Sequence, residues 1–185
     1  MFHNKVNNVP TFHLKWFTCS WEQRRLGDIC QITMGQSPDG STYSTSPIGY
    51  ILVQGNADLK EGWVCPRVWT TQKTKLAYKG DLIFSVRAPV GAVGKTLFNA
   101  VIGRGVAAIK GNEFIYQTLV RLNENKYWDS ISVGSTFDSI NSSTLNNIHF
   151  CVPKSGEQEQ IGKFFSNLDT LITLHQRNLK NVSYI

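Results

Sequence analysis

The stretch Gly91-Ala92-Val93-Gly94-Lys95-Thr96, after the apolar run Leu82-Ile83-Phe84, comes nearest to a catalytic signature in this chain. A phosphate-cradling loop needs G-x-x-x-x-G-K-[ST], whose glycines let the backbone wrap the phosphates, with a helix beginning directly after. Here Pro89 takes the first glycine position, and Leu97 to Ile102 reads as strand or turn. A metal-dependent nuclease core needs an acid on one strand and E-x-K on the next. Pro38-Asp39 and Glu124-Asn125-Lys126 supply the letters, but they are far apart and the second falls in a predicted helix. His3, His13, His149 and His175 form no zinc-protease spacing, and Cys19, Cys30, Cys65 and Cys151 form no C-x-x-C pair. The thiols read as small reduced hydrophobes. Nothing in the chain composes an active site, and no cofactor or metal is expected to belong to it.

Nucleic-acid chemistry is better supplied. Arginine and lysine pair with phosphates, arginine forks onto guanine O6 and N7, and Asn or Gln pairs with adenine. The candidates are Gln36 and Ser37 in a long polar loop from Gly35 to Gly49, Arg67 beside Trp69, and Arg87 at a strand end before Pro89. Lys95 and Arg104 in glycine-rich turns, and Ser135, Thr136 and Ser139 in a second polar loop, complete the group. The formal charge is +6. Its location matters more than its size: sixteen basic side chains oppose ten acidic ones between Met1 and Gly156, with three of each from Glu157 onward. A basic body with a neutral tail suits an anionic partner for the first and a protein partner for the second.

The elements that must position these residues follow from pattern. With 185 residues, 41% of them hydrophobic and 17% charged, the chain can form one ordinary globular domain plus an appended element. No apolar run approaches the roughly 18 residues that span a bilayer. Met1 to Pro10 lacks the apolar centre of a signal peptide, so a cytoplasmic location without membrane attachment is expected. Residues 1–20 read as a leader pinned by Phe12, Trp16 and Phe17, with Trp21. Short strands are predicted over Leu26–Thr33, Tyr50–Gln54, Asp81–Val86, Val93–Phe98, Val106–Ile109 and Ile148–Val152, and a helix over Glu113–Trp128. Many short strands with a helix or two predict a mixed, mostly β, α+β body over 21–153.

The tail, 154–185, differs. Ser155 suits a helix N-cap, and Ile161, Leu168, His175 and Val182 recur every seven residues. Phe164, Phe165, Leu171, Ile172 and Leu179 widen this stripe to almost half the helix. From Glu157 to Ile185 such a helix would run about 43 Å at 1.5 Å per residue. Packing wholly on its own domain and pairing with a partner helix both fit that stripe.

Three stretches carry a resemblance to the specificity subunits of type I restriction-modification systems. Val9 to Asp28 resembles their leader, a Pro- and Phe-containing segment followed by Trp21-Glu22-Gln23-Arg24-Arg25-Leu26-Gly27-Asp28. Ile29 to Pro38 and Lys79 to Arg87 look like target-recognition strands. Val152 to Asp169, with Glu157-Gln158, Ile161, Phe164-Phe165 and Leu168-Asp169, is similar to the junction that opens the family's conserved helix.

The resemblance implies that the body reads one half of a bipartite double-stranded DNA sequence and that the helix pairs antiparallel as a coiled-coil ruler. It implies docking to modification subunits that methylate adenine from S-adenosylmethionine, and, through the complex, to restriction and translocase subunits that use ATP and Mg. The chain itself would be non-catalytic. Family subunits carry two recognition domains and two helices, whereas this chain stops inside its first helix. This leaves a half-subunit that forms a homodimer or joins a second half-subunit, a truncated or frameshifted product, or an expressed fragment, and sets against DNA reading the alternative of a truncated protein-interaction module without DNA binding.

Overall fold

The computed structural model describes residues 21–132 and 139–182, the side chains of residues 130, 132 and 177–182 excepted. The expected leader at 1–20 and the loop residues Ser135 and Thr136 lie outside the described residues.

Among the described residues, thirteen strands and five α-helices follow one another. The first half contains β1 (Glu22–Arg25), α1 (Leu26–Ile29), β2 (Gln31–Met34), β3 (Tyr43–Ser44), β4 (Tyr50–Val53), β5 (Leu59–Lys60), β6 (Trp63–Val64), β7 (Val68–Thr70) and β8 (Leu76–Ala77). The second contains β9 (Leu82–Ser85), β10 (Val93–Lys95), β11 (Ala100–Ile102), β12 (Val106–Lys110), α2 (Glu113–Glu124), α3 (Tyr127–Ser132), α4 (Ser142–Asn146), β13 (His149–Val152) and α5 (Ser155–Val182). A six-stranded sheet has the order β2-β12-β9-β10-β6-β5, and a five-stranded sheet has the order β3-β7-β4-β11-β8. Strands β1 and β13 pair antiparallel, tying Glu22 to Val152 just before α5.

Side-chain alternation explains the layering. Every residue of β9 is buried. Leu82, Phe84 and Val86 join Ala107 and Ile109 in a cluster with Leu26, Phe114, Ile115, Leu119, Trp128, Leu145 and Ile148. Ile83, from the opposite face of β9, joins Val106 and Ala108 against Val53, Ala77, Ala100 and Ile102. Period-two alternation thus sends one face to the helices and the other to the second sheet. The six-stranded sheet is therefore the middle layer, and a strand buried on both faces reads as the continuous apolar run Leu82-Ile83-Phe84.

The architecture is the expected mostly β α+β body with a long C-terminal helix. Four element boundaries differ by two residues or more. Leu26–Ile29 is a helical turn rather than strand, because Leu26 N–H donates to Ile148 O at 2.8 Å and Cys30 N–H closes back on Leu26 O at 2.9 Å. The helix predicted over Glu113–Trp128 breaks at Asn125 and Lys126, the latter at φ +55°. That break turns Trp128 inward, edge-on to Phe84 at 4.9 Å. Strand β10 ends at Lys95 because the buried Thr96 hydroxyl donates to Phe98 O at 2.8 Å, closing a turn that leaves Leu97 and Phe98 exposed. Helix α5 also begins two residues before the predicted Glu157: Lys154 O accepts from Glu157 and Gln158 N–H, so Ser155 is the first helical residue rather than the cap.

Candidate nucleic-acid interface

Five strand ends converge at one edge of the two packed sheets. The chain leaving β2 is bonded to the chain entering β12, through Gly35 N–H to Val106 O at 3.0 Å, and to the end of β11, through Gln36 N–H to Ile102 O at 2.8 Å. Gly103 N–H reaches the end of β4 at Val53 O, 2.8 Å, and Val86 N–H, past the end of β9, reaches Gly105 O at 2.9 Å. Glycine is needed for this convergence. A Cβ on Gly35 would strike the Gly103 carbonyl, and one on Gly105 would strike the Gln54 carbonyl.

These backbone contacts gather side chains that lie far apart in sequence. Gln36 is exposed, and its carbonyl accepts the Thr74 hydroxyl at 2.6 Å. Ser37 Oγ accepts Arg104 N–H at 3.2 Å, which leaves the Arg104 side chain in solvent. Arg87 is exposed two residues beyond β9 and bridges to Ser139. Arg67 donates through Nε at 3.0 Å and Nη2 at 2.8 Å to Oδ1 of the buried Asp58. Asp58 in turn accepts Gln54 N–H at 2.7 Å. Arg87 and Arg104 make no ion pair with a carboxylate among the described residues. The structure thus brings Gln36, Ser37, Arg67, Arg87 and Arg104 to one edge.

Lys95 does not join them. It lies opposite Leu82, at the other end of β9, on strand rather than in a turn. Its ammonium contacts Glu113 Oε1 at 3.2 Å and Oε2 at 3.1 Å and sits 4.8 Å and 4.5 Å from the ring centres of Trp63 and Tyr116. Its positive charge is met inside the fold, between β10 and α2. Glu113 and Asp169 beside Tyr116, together with burial as the largest cause, raise that phenol's pKa.

Sequence reasoning passed over Gln54, Tyr43, Asp58 and the exposed Lys73 and Lys75 at the interface edge. Gln54 Nε2 donates to Tyr43 OH at 3.1 Å, and Tyr43 OH donates to Pro38 O at 3.2 Å, linking β4 to the Gln36 loop. Asp39, in the same loop, holds its carboxyl below the usual range by accepting from the Ser41 hydroxyl and amide. No periodicity announces such residues; only their pairing in space does.

Helix α5 is covered for its first turns and bare afterwards. Ile161 packs on the domain's own core, and Gly162 is buried against Glu113 and Phe114 of α2. Gln158 Oε1 accepts Asn112 Nδ2 at 2.8 Å, Asp169 Oδ2 accepts Gln117 Nε2 at 2.8 Å, and the buried Glu157 accepts Trp21 Nε1 at 3.3 Å. Beyond this, Phe164, Leu168, Leu171 and Ile172 are exposed, Leu171 by 62%. His175 is exposed as well, while the Leu179 side chain lies outside the described residues. Of the seven stripe positions expected to meet a partner, Ile161 is occupied internally.

The chain is thus a mixed domain that gathers polar and cationic loops at one edge of its sheets and projects a helix covered over its first turns. The chain belongs to the type I restriction modification DNA specificity domain family, whose model matches residues 19–183. It is 31% identical over 170 residues to the MjaX type I restriction enzyme specificity subunit of Methanocaldococcus jannaschii, covering 88% of this chain and 40% of that one. Among solved structures it superposes with a TM-score of 0.71 and 29% identity on the HsdS subunit of Thermoanaerobacter tengcongensis, over 91% of this chain and 41% of that one. A chain from a structure concerned with complex assembly and conformational transition of the type I restriction-modification system gives a TM-score of 0.78 at 28% identity, over 98% and 44%. The chain spans well under half the length of the relatives it matches.

Proposed function

We propose that this domain reads one segment of a double-stranded DNA target for a type I restriction-modification complex, using the loops gathered around Gln36, Ser37, Arg67, Arg87 and Arg104. The observation that carries the reading is that convergence. Side chains from loops up to 68 residues apart in sequence meet at one edge, most of them exposed, with Arg87 and Arg104 free of described carboxylates. Arginines unpaired by the fold are available to phosphates or guanine, and glutamine to adenine. Ser135 and Thr136 belong to the same proposal.

The chain would supply specificity and no catalysis. Methylation from S-adenosylmethionine and ATP-driven translocation and cleavage would be performed by modification and restriction subunits in the cytoplasm. The bare stripe of α5, from Phe164 through Leu168, Leu171, Ile172 and His175 toward Leu179, would pair antiparallel with a second such helix. The test is binding-site selection from a randomised duplex pool at moderate salt, with and without a type I modification subunit. Enrichment of a short motif, or of its inverted repeat at fixed spacing, is expected. Failure to enrich any motif in either condition would refute the reading.

A further inference from the structure

Asp58 is charged yet only 4% exposed at its side chain, and both its oxygens are committed. Oδ1 accepts Arg67 Nε and Nη2, while Oδ2 accepts the backbone N–H groups of Gln54 at 2.7 Å and Gly55 at 3.3 Å. A carboxylate leaves water at high cost unless hydrogen bonds replace its hydration. Here the replacement comes from the 54–58 turn on one oxygen and from Arg67 on the other.

The consequence falls on Arg67. A guanidinium has five N–H donors in one plane, and two of them are spent on Oδ1. Both hydrogens of Nη1 and one of Nη2 remain, and the free Nη2 hydrogen lies beside one of Nη1 on the end-on edge, next to the edge that holds Asp58. The end-on edge is a planar fork of the kind that matches guanine O6 and N7. The side chain is 52% exposed although it is tethered, so the fork is presented to solvent with its orientation already set. A long side chain ordered in advance loses less conformational entropy on binding. The tether is also continuous with the interface. Gln54, bonded to the same carboxylate, packs its backbone against Gly103 and Gly105, the turn that carries Arg104.

We propose that Asp58 is a positioning residue that presets Arg67 as the reader of one guanine in the DNA target. The inference rests on the DNA-reading proposal above and deepens it. An ion pair serving the fold alone would make no base-specific contribution, and that difference can be measured.

Binding-site selection on a randomised duplex pool would compare the wild-type chain with Arg67→Ala, Arg67→Lys, Asp58→Asn and the double variant Asp58→Asn/Arg67→Ala, alone and with a modification subunit. In Arg67→Ala, preference for guanine at one position should fall by about five- to 150-fold, and in Arg67→Lys it should fall less. Lysine keeps the charge and can still donate to O6 and N7, but it lacks the planar fork that Asp58 orients, so affinity for unrelated duplex should hold in Arg67→Lys. Asp58→Asn should weaken the same position and no other, and should add nothing there once Arg67 is alanine. The proposal is overturned if Arg67→Ala leaves the selected motif unchanged, or if Asp58→Asn weakens all sequences equally in both backgrounds. Should Asp58→Asn fail to fold, Arg67→Ala decides, because a guanine preference retained there refutes the fork. A wild-type chain that selects no motif removes the DNA-reading proposal and this one together, whereas a motif indifferent to Arg67 removes this one alone.

Discussion

The Arg87 and Gln36 side chains at the interface edge, like that of Arg104, make no described internal hydrogen bond or ion pair, and this makes their roles separable by substitution. Neither side chain is fixed by a partner among the described residues: Gln36 is held through its backbone, and Arg87 through its bridge to Ser139. Replacing a base-reading Arg87 or Gln36 by alanine should cost roughly 1–3 kcal/mol on the selected sequence and relax preference at one base pair. Equal losses on every duplex, read in the same titration, would make that residue a phosphate contact. Lys95 is the internal counterpart. Its side chain is 19% exposed and closes on a Glu113 side chain that is 24% exposed. Lys95→Ala leaves that carboxylate without its cation and strips two rings of their contact, so thermal unfolding should show a loss of about 1–3 kcal/mol. Its DNA affinity, measured below the melting range, should match that of the wild type.

At the scale of elements, the fold follows from a few strong patterns joined by contacts that no local pattern specifies. The apolar runs of β9 and β12 and the stripe of α5 were legible because burial on two faces, or on one helical face, leaves a periodic trace. The break after Glu124 was not, since it depends on Lys126 entering the left-handed region so that Trp128 can meet Phe84. The candidate edge was half legible for the same reason. Residue type singled out Gln36, Arg67, Arg87 and Arg104, but it also admitted Lys95, which the register of β10 places at the far end of the sheet. Asp58 and Gln54 were missed because a pairing nine residues apart, across a turn, has no period. The docking of α5 is such a contact as well. Gly162 lies where a Cβ would press on Glu113 and on the Phe114 amide, so a larger side chain must push the two helices apart. Gly162→Leu should lower stability by about 1–3 kcal/mol in denaturant titration. Loss of the Asn112–Gln158 and Gln117–Asp169 bonds would follow from the same displacement.

For the whole molecule, the question is what the bare half of α5 does for the loops at the interface edge. Past Ser166 every described side chain of the helix is exposed, including Leu168, Leu171, Ile172 and Leu174. A contiguous apolar face of this kind is costly in water and is lowered in free energy by a facing helix. If two copies pair through it, their two-fold symmetry carries over to the recognition edges, and the preferred target becomes an inverted repeat at fixed spacing. Two linked edges also bind with an affinity that one edge cannot reach, because the second engagement is intramolecular. Leu168→Asp and Leu171→Asp place a charge on that face without touching the core. They should reduce sedimentation to that of a monomer while leaving the unfolding midpoint of the body unchanged. On DNA the same variants should still select the half-site motif but lose the fixed-spacing repeat. The salt dependence should fall with it: log K against log salt has a slope of about −0.9 per phosphate neutralised, so a monomer using half the contacts should show about half the slope. A Leu171→Asp chain that sediments as wild type and selects the same spaced repeat would refute pairing through α5, and the symmetry of any selected site would then have to arise from another surface.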